Sequence, residues 1–302
     1  MKRALVLSGG GSKGAYEAGF LLAAKELNQH FDIVTGTSIG ALNGALVAMG
    51  DYEGLEYTWN ILDMDHVFNN APDLTDLKDD FMTTSLFNKE EGSNLSELKE
   101  SIAQQTSLAQ SFLRYYFKNK GADNTPFVEH CRGLMDEERL LSSPIDFGIC
   151  TVQFPSMKAC YKTKSEMERG HMLDYLLASS ACFPVFPMTE INGNKYIDGG
   201  FSDNLPIDLA LDMGADEMVV VDMHLIPVHP QYLNRPSILY SCPPVDLGGF
   251  MDFNKDALER NKRLGYLMAY KLFGNYEGNQ YTFLPSNQTV FHDYYKPVSY
   301  TH

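Results

Sequence analysis

Apolar residues occupy positions 4–7 (Ala4-Leu5-Val6-Leu7) without a polar break and then give way to Ser8-Gly9-Gly10-Gly11-Ser12-Lys13-Gly14. A short continuous apolar run bounded by glycine predicts a buried strand over residues 3–8 and a loop after it. Over residues 15–27, Ala18, Leu21, Leu22 and Lys25 recur at helical spacing beside Phe20, Ala24 and Leu27, which predicts a well-buried helix. Asp32-Ile33-Val34-Thr35-Gly36 reads as a second strand. Residues 38–49 are small, apolar and helix-favouring, and Gly50-Asp51 stops them. The order strand, loop, helix, strand, turn, helix predicts parallel strands joined by right-handed crossovers, hence an α/β fold.

From 51 to about 139 the pattern turns helical and irregular, a helical insertion after the second strand. It contains an acidic, proline-bearing stretch over 63–80 and a helix expected over 95–118. Strand character returns at 145–152, 158–163, 195–197 and 218–222, and residues 254–273 repeat Leu258, Leu264, Leu267 and Met268 as a further helix. The tail after Gly274 is rich in Tyr, Phe and Asn and shows no assignable period. Neither a repeat nor a linker composition interrupts the chain, so residues 1–302 read as a single domain, with a core over about 1–225 and a C-terminal helical segment and tail over about 226–302.

Composition narrows the classes. The chain has 302 residues, 44% hydrophobic and 21% charged, values of a folded globular protein rather than a disordered one. A formal net charge of −15 repels nucleic acid and gains nothing at long range from anionic lipid, so any membrane contact has to be local and apolar. The five cysteines, Cys131, Cys150, Cys160, Cys182 and Cys242, lack CxxC spacing and read as free thiols rather than a disulfide framework or a zinc site. The apolar run behind Lys2-Arg3 is too short for a secretory signal, which needs roughly 7–15 residues, and no run approaches the ~18 of a membrane span. A cytoplasmic protein is the expectation.

Three motifs carry chemistry. Gly36-Thr37-Ser38-Ile39-Gly40 is a G-x-S-x-G pattern between a strand and a helix, where a tight turn exposes the serine hydroxyl beside a helix N-terminus. Alone, it fits equally a helix N-cap serine with packing glycines. The Gly9–Gly14 loop fits G-x-G-x-x-G, but the acidic residue a dinucleotide site wants at the end of the second strand is replaced there by Gly36-Thr37-Ser38; Asp32 lies at its start. A phosphate-binding P-loop requires Gly-Lys followed by Ser or Thr, and that ending is missing. A row of backbone N–H groups facing an oxyanion, next to a nucleophile on the neighbouring parallel strand, accounts for the loop better. The third motif, Tyr196-Ile197-Asp198-Gly199-Gly200, is a strand-end Asp followed by a turn.

Together with Ala178-Ser179-Ser180-Ala181-Cys182-Phe183-Pro184-Val185-Phe186-Pro187, these blocks resemble, in order, the four blocks of patatin-like phospholipases. Likeness extends over 51–68, 85–87, 147–163, 205–222 and 250–266, leaving only about the last 30 residues without a counterpart. The resemblance implies a three-layer α/β/α fold with a mainly parallel sheet and a bacterial member of a family of lipid acyl hydrolases. It implies a Ser38–Asp198 dyad and an oxyanion hole from the backbone of Gly9, Gly10, Gly11, Ser12, Lys13 and Gly14, with Ile39 contributing a further N–H. Gly36 and Gly40 would shape the elbow, Gly199 and Gly200 the turn after the base, and Phe183, Pro184 and Phe186 the acyl pocket. Neither cofactor nor metal is implied.

The substrate expected is a lipid acyl ester, reached by transient contact with a membrane or micelle, and nucleic acid is not expected as a partner. Two other classes stay open on the sequence. One is a Ser-His-Asp esterase using His224, although that fold sets its elbow after more strands; the other is a nucleotide-binding oxidoreductase.

Overall fold

The computed structural model describes residues 1–69, 122–183 and 185–276. The helix expected over 95–118, Pro184 and nearly all of the aromatic tail lie outside these residues. The first strand, β1 (Arg3–Leu7), is buried from Ala4 onward and sits in the middle of an eight-stranded sheet. It pairs in parallel with β2 (Ile33–Thr37) on one side and β7 (Glu217–Val221) on the other, and β8 (Ile238–Ser241) continues the parallel series beyond β7. The long β3 (Asp146–Phe154) lies parallel to β2. It also carries β4 (Lys158–Thr163) and β6 (Asn194–Asp198) antiparallel, with β5 (Thr189–Ile191) paired to β6.

Apolar residues on both faces of β1 are what a central strand requires. Leu5 and Leu7 pack into one core, against α1 (Gly14–Glu26) and α2 (Ile39–Met49), while Ala4 and Val6 face a second core. The first layer also holds α3 (Tyr52–Ile61), α4 (Met64–Val67), α5 (Thr125–Leu134), α6 (Glu137–Ser142), α7 (Met172–Ser179) and α9 (Lys255–Leu272). The second layer is thin, built on α8 (Ile207–Asp212) and the turn Pro230–Tyr232. The sheet with helices on both faces is the expected α/β architecture.

Helix α9 buries Leu258, Asn261, Gly265 and Ala269, one stripe at steps of three and four. Its N-cap, Asn254, accepts from the N–H groups of Asp256 and Ala257, which accounts for its sharp start. Strands β5 and β8 and helix α8 go beyond the sequence expectation. Each is six residues or shorter, and such lengths leave no measurable period. Beyond residue 225, strand β8 continues the same sheet and α9 packs into the same core as α1 and α2.

Candidate active site

Ser38 is the residue between β2 and α2, with φ 55° and ψ −126°. A non-glycine residue rarely adopts this left-handed φ, and here the neighbours hold it there. Gly36 and Gly40 meet so closely that a Cβ on Gly36 would collide with the Gly40 carbonyl, while one on Gly40 would stand 2.5 Å from the Ser8 carbonyl oxygen. Only glycine fits both places. The Ser38 N–H donates to Ser179 Oγ at 2.9 Å, and Ser179 passes the bond on to the Cys150 carbonyl at 2.6 Å. Ser179 thus anchors the elbow to β3.

The register of β3 explains how the remote Asp198 arrives. Thr37, the end of β2, is opposite Cys150, and Asp198, the end of β6, is opposite Thr151. Because β4 covers the other edge of β3 over the same residues, β2 and β6 share one edge and run towards each other head to head. Their ends meet with Ser38 Oγ donating to Asp198 Oδ2 at 2.6 Å. The second oxygen, Oδ1, accepts from Gly200 N–H at 2.8 Å, and the Asp198 N–H donates to the Ala181 carbonyl at 2.9 Å. The role of the Asp-Gly-Gly turn is therefore to hold the carboxylate's back oxygen. Asp198 is 5% exposed. Burial pushes its pKa up to about 6, against the opposing pull of the Ser38 and Gly200 hydrogen bonds.

Above this pair lies the glycine loop, whose six residues divide by what their N–H groups do. Gly9 donates to the Asn204 carbonyl, Ser12 to that of Phe250, Lys13 to that of Gly10, and Gly14 back into the turn Gly11–Lys13. Those four hold the loop. Gly10 and Gly11 line the cavity beside Ser38 and Ile39, and the N–H groups of Gly10, Gly11 and Ile39 make no hydrogen bond to the described residues. Of the donors expected from the loop and elbow, these three are the ones without a hydrogen-bond partner among the described residues. Gly11 takes φ 58° with its Cα pressed on the Phe250 carbonyl. Asn204 adds a side-chain bond, Nδ2 to the Gly9 carbonyl at 3.2 Å, so that the loop is pinned from both directions.

The cavity holding Ser38 and Asp198 encloses about 60 Å3 and is walled mainly by Leu42, Leu62, Phe127, Phe186, Phe250 and Phe253. Phe186 stacks on Phe68 with ring centroids 5.2 Å apart. Polar groups at the reacting end and hydrocarbon everywhere else suit an acyl ester better than a charged or sugar substrate. Among the described residues no cluster of three or more His, Cys, Asp or Glu side chains is placed to hold a metal ion.

A family model described as patatin-like phospholipase matches residues 5–211, more than half of the chain. The chain belongs to the patatin-like phospholipase family. Among curated relatives, it is 22% identical to the lysophospholipase NTE1 of the yeast Meyerozyma guilliermondii, over 91% of this chain and 19% of that protein. It is 26% identical to the rat patatin-like phospholipase domain-containing protein 7, over 73% of this chain and 13% of that one. It therefore spans less than a fifth of the length of these relatives. Among solved structures, VipD from Legionella pneumophila superposes with a TM-score of 0.53 at 16% identity, covering 90% of this chain and 66% of VipD, a likeness of fold.

Other residues singled out in the sequence fall elsewhere in this patatin-like domain. Phe183 is not among the residues lining the cavity, in contrast to the expectation; Phe186, one turn on, faces it together with Cys182 and Ser180. Lys13 is buried and likewise off the cavity wall; burial holds its amine below the usual lysine value, and Asp246 opposes this. His224 Nδ1 pairs with Asp222 at 2.6 Å, and the other Asp222 oxygen accepts from Tyr240 and from the Val228 N–H. Although burial disfavours its charge, these partners hold the Asp222 carboxyl below the usual range. His224 and Asp222 thus organise the loop after β7, and Ser38 donates its hydrogen bond to a different carboxylate, that of Asp198. Ser179 belongs to the 178–187 block, but its role as an anchor of the elbow is not legible there. Asn204 and the Phe250–Phe253 wall are marked as parts of the site only by their position beside the motifs, which a sequence does not give.

Proposed function

We propose that this chain is a serine acyl-ester hydrolase acting on lipids, of phospholipase A or lysophospholipase type, working through Ser38 and Asp198. The observation that supports this reading most directly is the 2.6 Å hydrogen bond from Ser38 Oγ to Asp198 Oδ2, beside three N–H groups with no partner among the described residues. Ser38 Oγ attacks the ester carbonyl as its proton passes to Asp198. The carbonyl oxygen gains the negative charge and accepts from the N–H groups of Gly10, Gly11 and Ile39, a form of stabilisation worth ~3–4 kcal/mol per donor in comparable sites. Collapse breaks the bond to the alcohol, which leaves with the proton from Asp198 and a Ser38 acyl ester behind it. Water then gives its proton to Asp198 and attacks the acyl carbon; the carboxylic acid departs and the proton returns to Ser38.

A buried carboxylate with a pKa of about 6 suits this role better than an ordinary aspartate, because it holds a proton more readily at neutral pH. The apolar walls, and relatives that are a lysophospholipase and a patatin-like phospholipase domain-containing protein, favour a lipid acyl ester. Incubation with a fluorophosphonate and a panel of defined phospholipids, lysophospholipids and glycerides, read by mass spectrometry, tests the proposal. Adduct formation on the Ser38 peptide and fatty acid release absent from Ser38→Ala are expected. Lipid release undiminished in Ser38→Ala would overturn it.

A further inference from the structure

Behind the catalytic cavity lies a second one of about 40 Å3, enclosed by α2, α3, α5 and α7. Ile39, Leu42, Leu62 and Phe127 line both, so these four side chains form a wall that the two spaces share. Ile39, Leu42, Leu46 and Met49 form one stripe of α2, starting next to the nucleophile and running along the second cavity. At 1.5 Å per residue the stripe is about 15 Å long, comparable with an extended medium-length hydrocarbon chain.

The cavity offers little to a polar ligand. Its polar lining groups already have partners: Asn43 bonds to Glu17, Gly14 and Trp59, and Thr58 Oγ1 to the Gly54 carbonyl and His130 Nε2. Burial also lowers the pKa of His130, disfavouring a charged ring there. A space of this kind is poor for water and good for methylene groups.

If Ser38 is the ester nucleophile, as proposed above, we infer that the substrate's acyl chain passes between Ile39–Leu42 and Leu62–Phe127 and lies in the second cavity. Ala45, Leu46 and Met49, which line that cavity and not the first, then set the chain length the enzyme accepts. The four dividing side chains turn aside as the chain enters, a rotamer change rather than a movement of backbone.

The test compares p-nitrophenyl butyrate, dodecanoate and palmitate on the wild type, Ala45→Phe and Met49→Ala. A second measurement is binding of the fluorescent fatty acid cis-parinarate to Ser38→Ala and to Ser38→Ala/Ala45→Phe. Filling the cavity in Ala45→Phe should lower the dodecanoate-to-butyrate ratio of kcat/KM by about tenfold or more, and weaken parinarate binding comparably. Enlarging it in Met49→Ala should shift preference towards palmitate. Should Ala45→Phe lack a cooperative melt, the Met49→Ala profile decides. Cleavage of all three esters with a profile that neither substitution moves overturns the acyl site alone. A wild type that cleaves no ester yet binds parinarate in an Ala45-dependent way overturns the hydrolase reading and leaves the acyl site standing.

Discussion

Ser38 Oγ and Asp198 Oδ2 are 2.6 Å apart although 160 residues separate them along the chain. Two strands that meet end to end on one edge of β3 bring this about, so either side chain can be changed without disturbing the sheet that places the other. Ser38→Ala should lose ester hydrolysis by on the order of 10^6-fold if nucleophile loss costs what it does in other serine enzymes. Asp198→Asn should lose about 10^4-fold, since the amide accepts a hydrogen bond but not the proton. Circular dichroism should be unchanged in both. Near wild-type turnover of Asp198→Asn would remove the dyad from consideration.

The pH dependence follows from the state of Asp198. To serve as the proposed base it must be ionised, and burial raises its pKa to about 6. Turnover, as kcat/KM, should therefore rise about tenfold per pH unit up to about 6 and level off above it. His224→Ala should leave that limb in place, because His224 is bonded to Asp222 rather than to the dyad. A limb that disappears with His224 would point to an imidazole base. Stability should run the other way. With a folded value above the ordinary 3.8, the contribution of Asp198 is whole below about pH 4 and is lost as pH rises through about 6. Asp198→Asn should accordingly gain in melting temperature relative to wild type at pH 8 more than at pH 4.

Much of this arrangement can be read before any coordinates, for identifiable reasons. The run from β1 through the glycine loop to α2 is contiguous, so strand, loop, helix and elbow each carry their own local signal. Asp198 is recognisable only because a turn of two glycines follows it. What brings it to Ser38 is the register of β6 against β3, a non-local pairing that leaves no trace in either strand alone. The cavity walls are hidden for the same reason, since α3, α5 and the Phe250–Phe253 segment meet there from three distant parts of the chain. Choosing between Phe183 and Phe186 needs the path of the loop, and a Pro-bounded stretch has no period to supply it.

Glu17 gives a stability prediction independent of catalysis. It is fully buried on α1; Oε2 accepts from Asn43 Nδ2 at 3.0 Å, and Oε1 has no hydrogen-bond partner among the described residues. Burial drives its pKa well above the usual glutamate value, against the pull of the Asn43 side chain and the Ser8 backbone, so the fold favours the neutral acid over the carboxylate. Its contribution is then whole below the unfolded value of 4.5 and is lost as pH rises towards the folded one. Glu17→Gln is neutral at every pH and keeps an oxygen for Asn43. Scanning fluorimetry from pH 4.5 to 8 should show the variant melting above wild type by a gap that widens with pH. Parallel curves would mean that Glu17 is ionised in the fold.

If the glycine loop binds the oxyanion as proposed, Asn204 is a positioning residue that acts through the loop it holds. Its carbonyl accepts from the Gly9 N–H at 2.9 Å, and its side chain returns a bond to the Gly9 carbonyl at 3.2 Å. Asn204→Ala keeps the first bond and removes the second, leaving a buried carbonyl short of a donor at a cost of about 1–3 kcal/mol. If the loop relaxes to satisfy that carbonyl, Gly10 and Gly11 shift away from the place where the oxyanion forms, and the penalty falls on the transition state rather than on the bound ester. The expected signature is a fall in kcat of roughly 5- to 150-fold with KM nearly unchanged. Asn204→Asp, which can accept but not donate here, should not restore the rate. A variant that raises KM alone would assign Asn204 to holding substrate through the cavity wall instead.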